Sequence, residues 1–74
     1  MALSTVEPDG AAIKMRRERL GLTQADLAVL IRRNPSTISD AETGRRSVSA
    51  LLVGQIARAL NVDPETFIKN EVAA

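Results

Sequence analysis

The chain has no cysteine, histidine, tryptophan or tyrosine, and Phe67 is its one aromatic residue. Without cysteine there are no disulfides or thiolate metal sites, and without histidine the commonest metal ligand is missing. The shortage of aromatics argues against recognition of nucleic acid by stacking on bases. No apolar run approaches the ~20 residues of a membrane-spanning helix, and the N-terminus lacks a charged segment followed by an apolar one. From 74 residues, one soluble, cytoplasmic domain with a limited core is expected. No catalytic constellation can be assembled without His or Cys and without carboxylates paired in a cleft. The expectation is a protein that is not an enzyme, with no cofactor and no metal.

What is present is charge, unevenly placed. The net charge is only +1. Between Lys14 and Arg46, however, Lys14, Arg16, Arg17, Arg19, Arg32, Arg33, Arg45 and Arg46 face only Glu18, Asp26, Asp40 and Glu42, a net of +4. The rest of the chain sets Arg58 and Lys69 against Glu7, Asp9, Asp63, Glu65 and Glu71, a net of −3. A basic centre with acidic ends suits one face turned towards phosphates, the plain alternative being a solvated surface.

Residues 1–9 mix small, polar and acidic types without periodicity and read as a flexible tail. A helix from Asp9 or Gly10 to Leu20 carries the stripe Ile13, Arg17, Leu20, ends at Gly21, and is followed by Leu22 pointing inward. Residues 23–44 then read as two short helices, each with its own start signal. Thr23 caps the first, with Asp26 three residues on in a capping box, and Leu27, Ala28 and Ile31 face the core. Asn34 and Pro35 open the second, with Asn34 accepting from free N–H groups, and Gly44 closes it. Two such helices and a tight turn make a helix-turn-helix, whose second member, about residues 34–43, fits a DNA major groove. Ile38 and Ala41 of that helix face inward.

After the loop 44–47, a fourth helix starts at Ser47 or Ser49 and runs to Leu60, with Leu52, Val53, Ile56, Ala57 and Leu60 inside. Gly54 costs it roughly 1 kcal/mol relative to Ala unless close packing requires glycine. Asp63-Pro64-Glu65 repeats the cap-plus-proline signal for a fifth helix to Ile68 or Asn70. The expected fold is therefore all-α, a compact five-helix bundle with the helix-turn-helix at helices 2 and 3. Residues 10–70 form the domain, and residues 71–74 a C-terminal tail.

Several stretches resemble the Cro and phage-repressor family of helix-turn-helix domains. They are Arg17-Glu18-Arg19-Leu20-Gly21-Leu22-Thr23-Gln24, Asp26-Leu27-Ala28, Ser36-Thr37-Ile38-Ser39, Glu42, Gly44 and Ile56-Ala57-Arg58-Ala59-Leu60-Asn61-Val62. The resemblance covers roughly Ile13 to Ile68 and implies a lambda-repressor-like fold that binds double-stranded DNA. It implies that Gln24 holds a phosphate at the N-terminus of the second helix, where free N–H groups and the helix dipole favour an anion, and braces the recognition helix. It implies an inward salt bridge between Arg17 and Glu42. By position, base edges fall to Pro35, Ser36, Ser39 and Asp40, with Thr37 nearer the backbone. Ser reads either base type, Asp can accept from cytosine N4, and Pro35 offers an apolar surface to a thymine methyl.

Three departures from the family pattern stand out. The turn, where the family has glycine and then an apolar residue, holds Arg32 and Arg33. Arg32 must adopt a left-handed conformation at roughly 1–2 kcal/mol, or the turn differs, and both arginines either contact phosphates or face solvent. Asp40 is repelled by DNA unless it meets a cytosine amino group or an arginine of its own chain. Arg16, apolar in many members, either contacts phosphate or snorkels over the core edge. Arg45 and Arg46 are the clearer phosphate candidates.

The function expected is a transcriptional regulator, a repressor that occupies a palindromic operator as a homodimer, with Val62, Phe67, Ile68 and Val72 as the dimer surface, the alternative being that they cap the core, Phe67 in particular packing inward. The alternative is an antitoxin or adaptor in which the same domain mainly binds a partner protein.

Overall fold

The computed structural model describes residues 4–44 and 47–72. Among them, four α-helices surround one core, and a small sheet closes one side of it. The helices are α1 (Gly10–Arg19), α2 (Gln24–Ile31), α3 (Pro35–Thr43) and α4 (Ala50–Ala59). Ile13, Leu27, Ala28, Ile38, Ala41, Leu52, Val53, Ile56, Ala57 and Leu60 all lie in the core, where the helical periodicity puts them. Leu22 and Ile31 pack against it from the edge, while Leu20 is exposed.

The caps explain the helix boundaries. Asp9 accepts from the Ala12 N–H at 3.2 Å, Thr23 from Asp26, and Ser49 from Leu52 at 3.1 Å. Gly44 ends α3 at φ +64°, and Asn61, a residue that tolerates this region, turns the chain after α4 at φ +61°. The backbone N–H groups of Leu60, Asn61 and Val62 donate to carbonyls of the last turn of α4.

Two expectations from the sequence need correction. The segment assigned to a flexible tail contains β1 (Thr5–Pro8), the central strand of a three-stranded antiparallel sheet ordered β2-β1-β3, with β2 at Val48–Ser49 and β3 at Ile68–Val72. Thr5 pairs with Ser49 on one side and Val72 on the other, and an irregularity at Glu7/Pro8 accommodates the proline, which has no N–H for the ladder. The fifth helix does not form. Asp63 and Pro64 do start a turn, with Asp63 accepting from Glu65, but only a 3₁₀ turn (Pro64–Phe67) develops before the chain extends into β3. Strand pairing holds that extended backbone, so the five-helix bundle is a four-helix domain with a sheet. Val6 and Pro8 of β1 are buried with Phe67, and the Asp9 N–H donates to the Phe67 carbonyl at 2.8 Å.

Gly10 fixes how closely α1 approaches α3. A Cβ on this residue would sit 2.8 Å from the Ala41 carbonyl oxygen and closer still to that of Glu42. Both obstacles are backbone, so neither can swing aside. Gly10→Ala should therefore destabilise the domain by about 1–3 kcal/mol or more, a fall of several degrees in a thermal melt followed by circular dichroism. A melting midpoint equal to that of the parent chain would contradict the close approach.

Candidate nucleic-acid interface

One buried ion pair joins α1 to the C-terminal end of α3, beside the start of α2. Arg17, on α1, donates from Nε to Glu42 Oε2 at 2.6 Å and from Nη2 to Glu42 Oε1 at 3.0 Å. Its Nη1 reaches the Leu22 carbonyl at 2.7 Å, which pins the loop leading into α2. The two side chains are 8% and 4% exposed, so the pair is removed from water. The hydrogen bond to Glu42 raises the Arg17 pKa above its ordinary value, against the opposing effect of burial, and keeps the guanidinium charged. The expected inward salt bridge between Arg17 and Glu42 is present, with bidentate geometry.

Glu42 also takes a third donor. Gln24 Nε2 lies 3.0 Å from Glu42 Oε1, so the first side chain of α2 is held by the last turn of α3. This sets the orientation of Gln24 while one of its two amide protons and its oxygen remain for other contacts. Thr23 and Asp26 complete the start of α2: the Asp26 N–H donates to Thr23 Oγ1 at 3.0 Å, and the Thr23 N–H donates to Asp26 Oδ2 at 2.9 Å.

On α3, Ile38 and Ala41 are fully buried, which turns Pro35, Ser36 and Asp40 to the outside, with Thr37 and Ser39 half-buried beside them. The outer face is thus short and polar. Asn34 is the residue before the helix, but its side chain makes no capping bond; Pro35 in the first turn carries the start signal instead. Arg32 adopts the left-handed conformation at φ +58°, as the family's glycine position requires. It is exposed. Arg33 is also exposed and donates to Gln55 Oε1 on α4 at 3.2–3.3 Å. Arg45 and Arg46 lie outside the described residues.

Residues 10–67 match the family described as "Helix-turn-helix domain". The chain belongs to this helix-turn-helix family. Multiprotein-bridging factor 1 of Debaryomyces hansenii is 43% identical over 53 residues, 72% of this chain and 35% of that protein. The chain spans about a third of the length of the curated relatives it matches. Among solved structures, the restriction-modification controller protein C.AhdI from Aeromonas hydrophila is 32% identical with a TM-score of 0.72, covering 77% of this chain and 86% of that one. The clp gene regulator ClgR from Corynebacterium glutamicum is 34% identical with a TM-score of 0.69, covering 76% and 73%.

Within this helix-turn-helix, the geometry brings Gln24, Arg17 and Glu42 together and leaves Pro35, Ser36 and Asp40 exposed on the outer face of α3. It does not leave the expected dimer residues on one free surface. Phe67 is 1% exposed in the core, Val62 and Ile68 pack against that core, and the backbone of Val72 pairs with Thr5. The apolar side chains of Phe67, Val62 and Ile68 are used within the domain. Gln24 bonds to Glu42 on α3, the bracing that the family resemblance implies, while two further interactions are not readable from the sequence: Gln55 holds Arg33, and Arg16 donates from Nε to the Leu60 carbonyl at 3.0 Å, which caps α4. Arg16 therefore has a use within the fold that neither of its expected readings included.

Two outcomes follow from these interactions. Glu42→Ala leaves a buried guanidinium unpaired and should cost about 3–5 kcal/mol in urea unfolding, whereas Arg17→Met with Glu42→Leu should cost less than that single change. Equal or greater loss in the double variant would mean that the pair itself, and not the uncompensated charge, carries the stability. The second outcome concerns pH. Hydrogen bonds from the Thr23 backbone N–H and then its hydroxyl hold the Asp26 carboxyl below its ordinary 3.8. A lowered folded-state value stabilises the domain above the unfolded value, and that benefit is lost as pH falls through the folded one. The advantage of the parent chain over Asp26→Ala in thermal melts should be constant above about pH 5 and shrink below 3.8; a pH-independent difference would contradict the cap.

Proposed function

We propose that this chain is a sequence-specific DNA-binding transcriptional regulator, a repressor that occupies a palindromic operator as a homodimer with α3 in the major groove. The observation that carries the reading is the Arg17–Glu42–Gln24 network, which fixes the start of α2 relative to an outward polar face on α3. An orientation fixed by buried groups is what a reader of base edges needs, since the loss of rotamer freedom is met before binding. The regulators C.AhdI and ClgR, similar over three quarters of this chain, support the same reading.

In this reading Gln24 and the N–H groups at the start of α2 hold one phosphate. Arg45 and Arg46, with Arg32, supply most of the electrostatic affinity, and Thr37 lies against the backbone. Arg33 contributes less because Gln55 already engages it. Base edges fall to Pro35, Ser36, Ser39 and Asp40. The chain acts without a cofactor and catalyses no reaction.

A second reading has one specific observation in its favour. Val29 and Leu30, neighbours on α2, are 76% and 58% exposed, an apolar surface that DNA binding does not use. Together with the likeness to a multiprotein-bridging factor, this supports an adaptor that binds a partner protein through the same domain.

Selection of bound sequences from a random double-stranded pool, followed by gel-shift titration at two salt concentrations, separates the two. The regulator reading expects a palindromic consensus and affinity that falls steeply with salt. Arg45→Ala with Arg46→Ala should reduce the salt slope by roughly 0.9 for each phosphate that is no longer neutralised. Ser39→Ala should relax preference at one base position by about 1 kcal/mol and leave the slope unchanged. Enrichment of no sequence, with no retardation at low salt, favours the adaptor.

A further inference from the structure

The C-terminal end of α2 faces α4 across a groove of about 260 Å³. Leu30, Ile31 and Ala59 give it an apolar lining, and Arg32, Gln55 and Arg58 stand around them. Ile31 and Ala59 pack on the core, so the lining carries the interior out to the surface, where Leu30 is 58% exposed. The volume falls short of the roughly 300–1,000 Å³ of small-molecule pockets. It suits one or two side chains of a larger partner.

The charge around this groove is of one sign. Arg32 and Arg58 are exposed, and among the described residues neither guanidinium has a hydrogen-bond or ion-pair partner. Gln55 brings a third cation to the rim by accepting from Arg33 Nε and Nη2. That amide is neutral, so it holds Arg33 without cancelling its charge. No carboxylate is among the described residues that line the groove. In a chain with a net charge of only +1, three arginines gathered without a counter-ion favour one from outside. Arg32 adds a second argument. It holds the left-handed conformation at φ +58°, which glycine would adopt without strain. The fold thus bears a backbone cost to keep a guanidinium at this position.

We infer that the groove binds an acidic amphipathic segment of another protein, with aliphatic side chains on Leu30, Ile31 and Ala59 and carboxylates on Arg32 and Arg58. Such a segment matches both parts of the groove. Amphipathic helices are held by apolar anchors in a hydrophobic groove, and complementary charges fix their register. Nucleic acid would match only the cations, because no aromatic side chain lines the groove for a base to stack on. The groove also lies at the far end of α2 from Gln24, about 10 Å away at 1.5 Å per residue. The segment is the partner of the adaptor reading, on which this assignment rests, and its binding requires neither DNA nor the absence of DNA.

The test titrates the isotope-labelled chain, followed by amide NMR, with a synthetic amphipathic peptide of about 15 residues. This peptide carries leucine along one face and glutamate on either side; a second has glutamine for every glutamate, and a third has lysine. The glutamate peptide should bind with a dissociation constant below about 1 mM and shift the amides of Leu30, Ile31, Arg32 and Ala59. Added salt should weaken it. Arg32→Gly and Arg58→Gln should each raise the dissociation constant about two- to fivefold, the range of one exposed ion pair. Glycine suits the left-handed position and Arg58 has no partner among the described residues, so both variants should fold. Leu30→Ser should weaken the glutamate and glutamine peptides alike. Equal binding of these two peptides to the parent chain overturns the acidic assignment and leaves the adaptor reading standing. Failure of all three peptides at about 1 mM overturns the groove as a docking site, and with it the adaptor reading in this form. Shifts confined to α3, or an affinity unmoved by both arginine substitutions, place the contact elsewhere and overturn the assignment too. If Arg58→Gln weakens gel retardation of duplex DNA and not peptide binding, nucleic acid is the occupant and the assignment falls.

Discussion

The bidentate pair between Arg17 and Glu42 is the constraint on which the relative placement of three helices depends. Each partner alone would be a buried charge in a domain too small to shield it, so neither can leave without the other. Arg17 also donates to the Leu22 carbonyl, and Glu42 also accepts from Gln24. The loop before α2, the first residue of α2 and the last turn of α3 are thereby referred to one point on α1. Gly10 allows this by letting the start of α1 touch the backbone of the same turn of α3. An apolar replacement of the pair could match its stability without matching its directionality, because hydrogen bonds fix angles that dispersion does not.

The sheet solves a different problem. Four short helices from a chain of this length bury a modest core, and fraying ends would expose it. β1 crosses this exposed side, adds Val6 and Pro8 to the apolar interior, and ties the segment before α1 to the segments that flank α4. The N-terminal residues thus act as a strap across elements that are more than 40 positions away in sequence. Such contacts are costly in chain entropy to form, and three strands of two to five residues would not persist without the helices packed beneath them.

How much of this could be read from the sequence follows from where each signal resides. The helices of the helix-turn-helix were legible because caps and core stripes are local: Thr23 with Asp26, Pro35, Gly44, and Ile38 with Ala41 each act within one or two turns. The left-handed Arg32 was one of the two alternatives left open by the resemblance, which places a glycine in the family there, and the structure adopts it. The sheet was not legible, because its information is spread over three segments that mean little apart. Thr5-Val6-Glu7-Pro8 ends in a residue that usually argues against a strand. Asp63-Pro64 is a real start signal, but nothing in it says that the helix will last one turn; pairing of Ile68–Val72 with β1 decides that. Of the two readings open for Phe67, dimer surface or inward packing, the structure shows the second: it plugs the core. For the candidate site, residue types and faces were legible, whereas the partners Arg33–Gln55 and Arg16–Leu60 required three-dimensional placement.

The chemistry of α3 sets a bound on what one copy can discriminate. The positions proposed to face bases offer serine hydroxyls, a carboxylate and a proline ring, and none of the long bidentate donors that distinguish guanine or adenine most strongly. Such contacts sum to few kilocalories, while phosphates give affinity to any sequence. A regulator built this way must gain discrimination from outside the single face. Two copies on adjacent half-sites double the number of base contacts and also demand their spacing, so a wrong half-site costs the geometry as well as its own bonds. In the proposed homodimer, the weaker the readout of one helix, the more the specificity of the protein depends on the rigidity with which a second copy is held beside it.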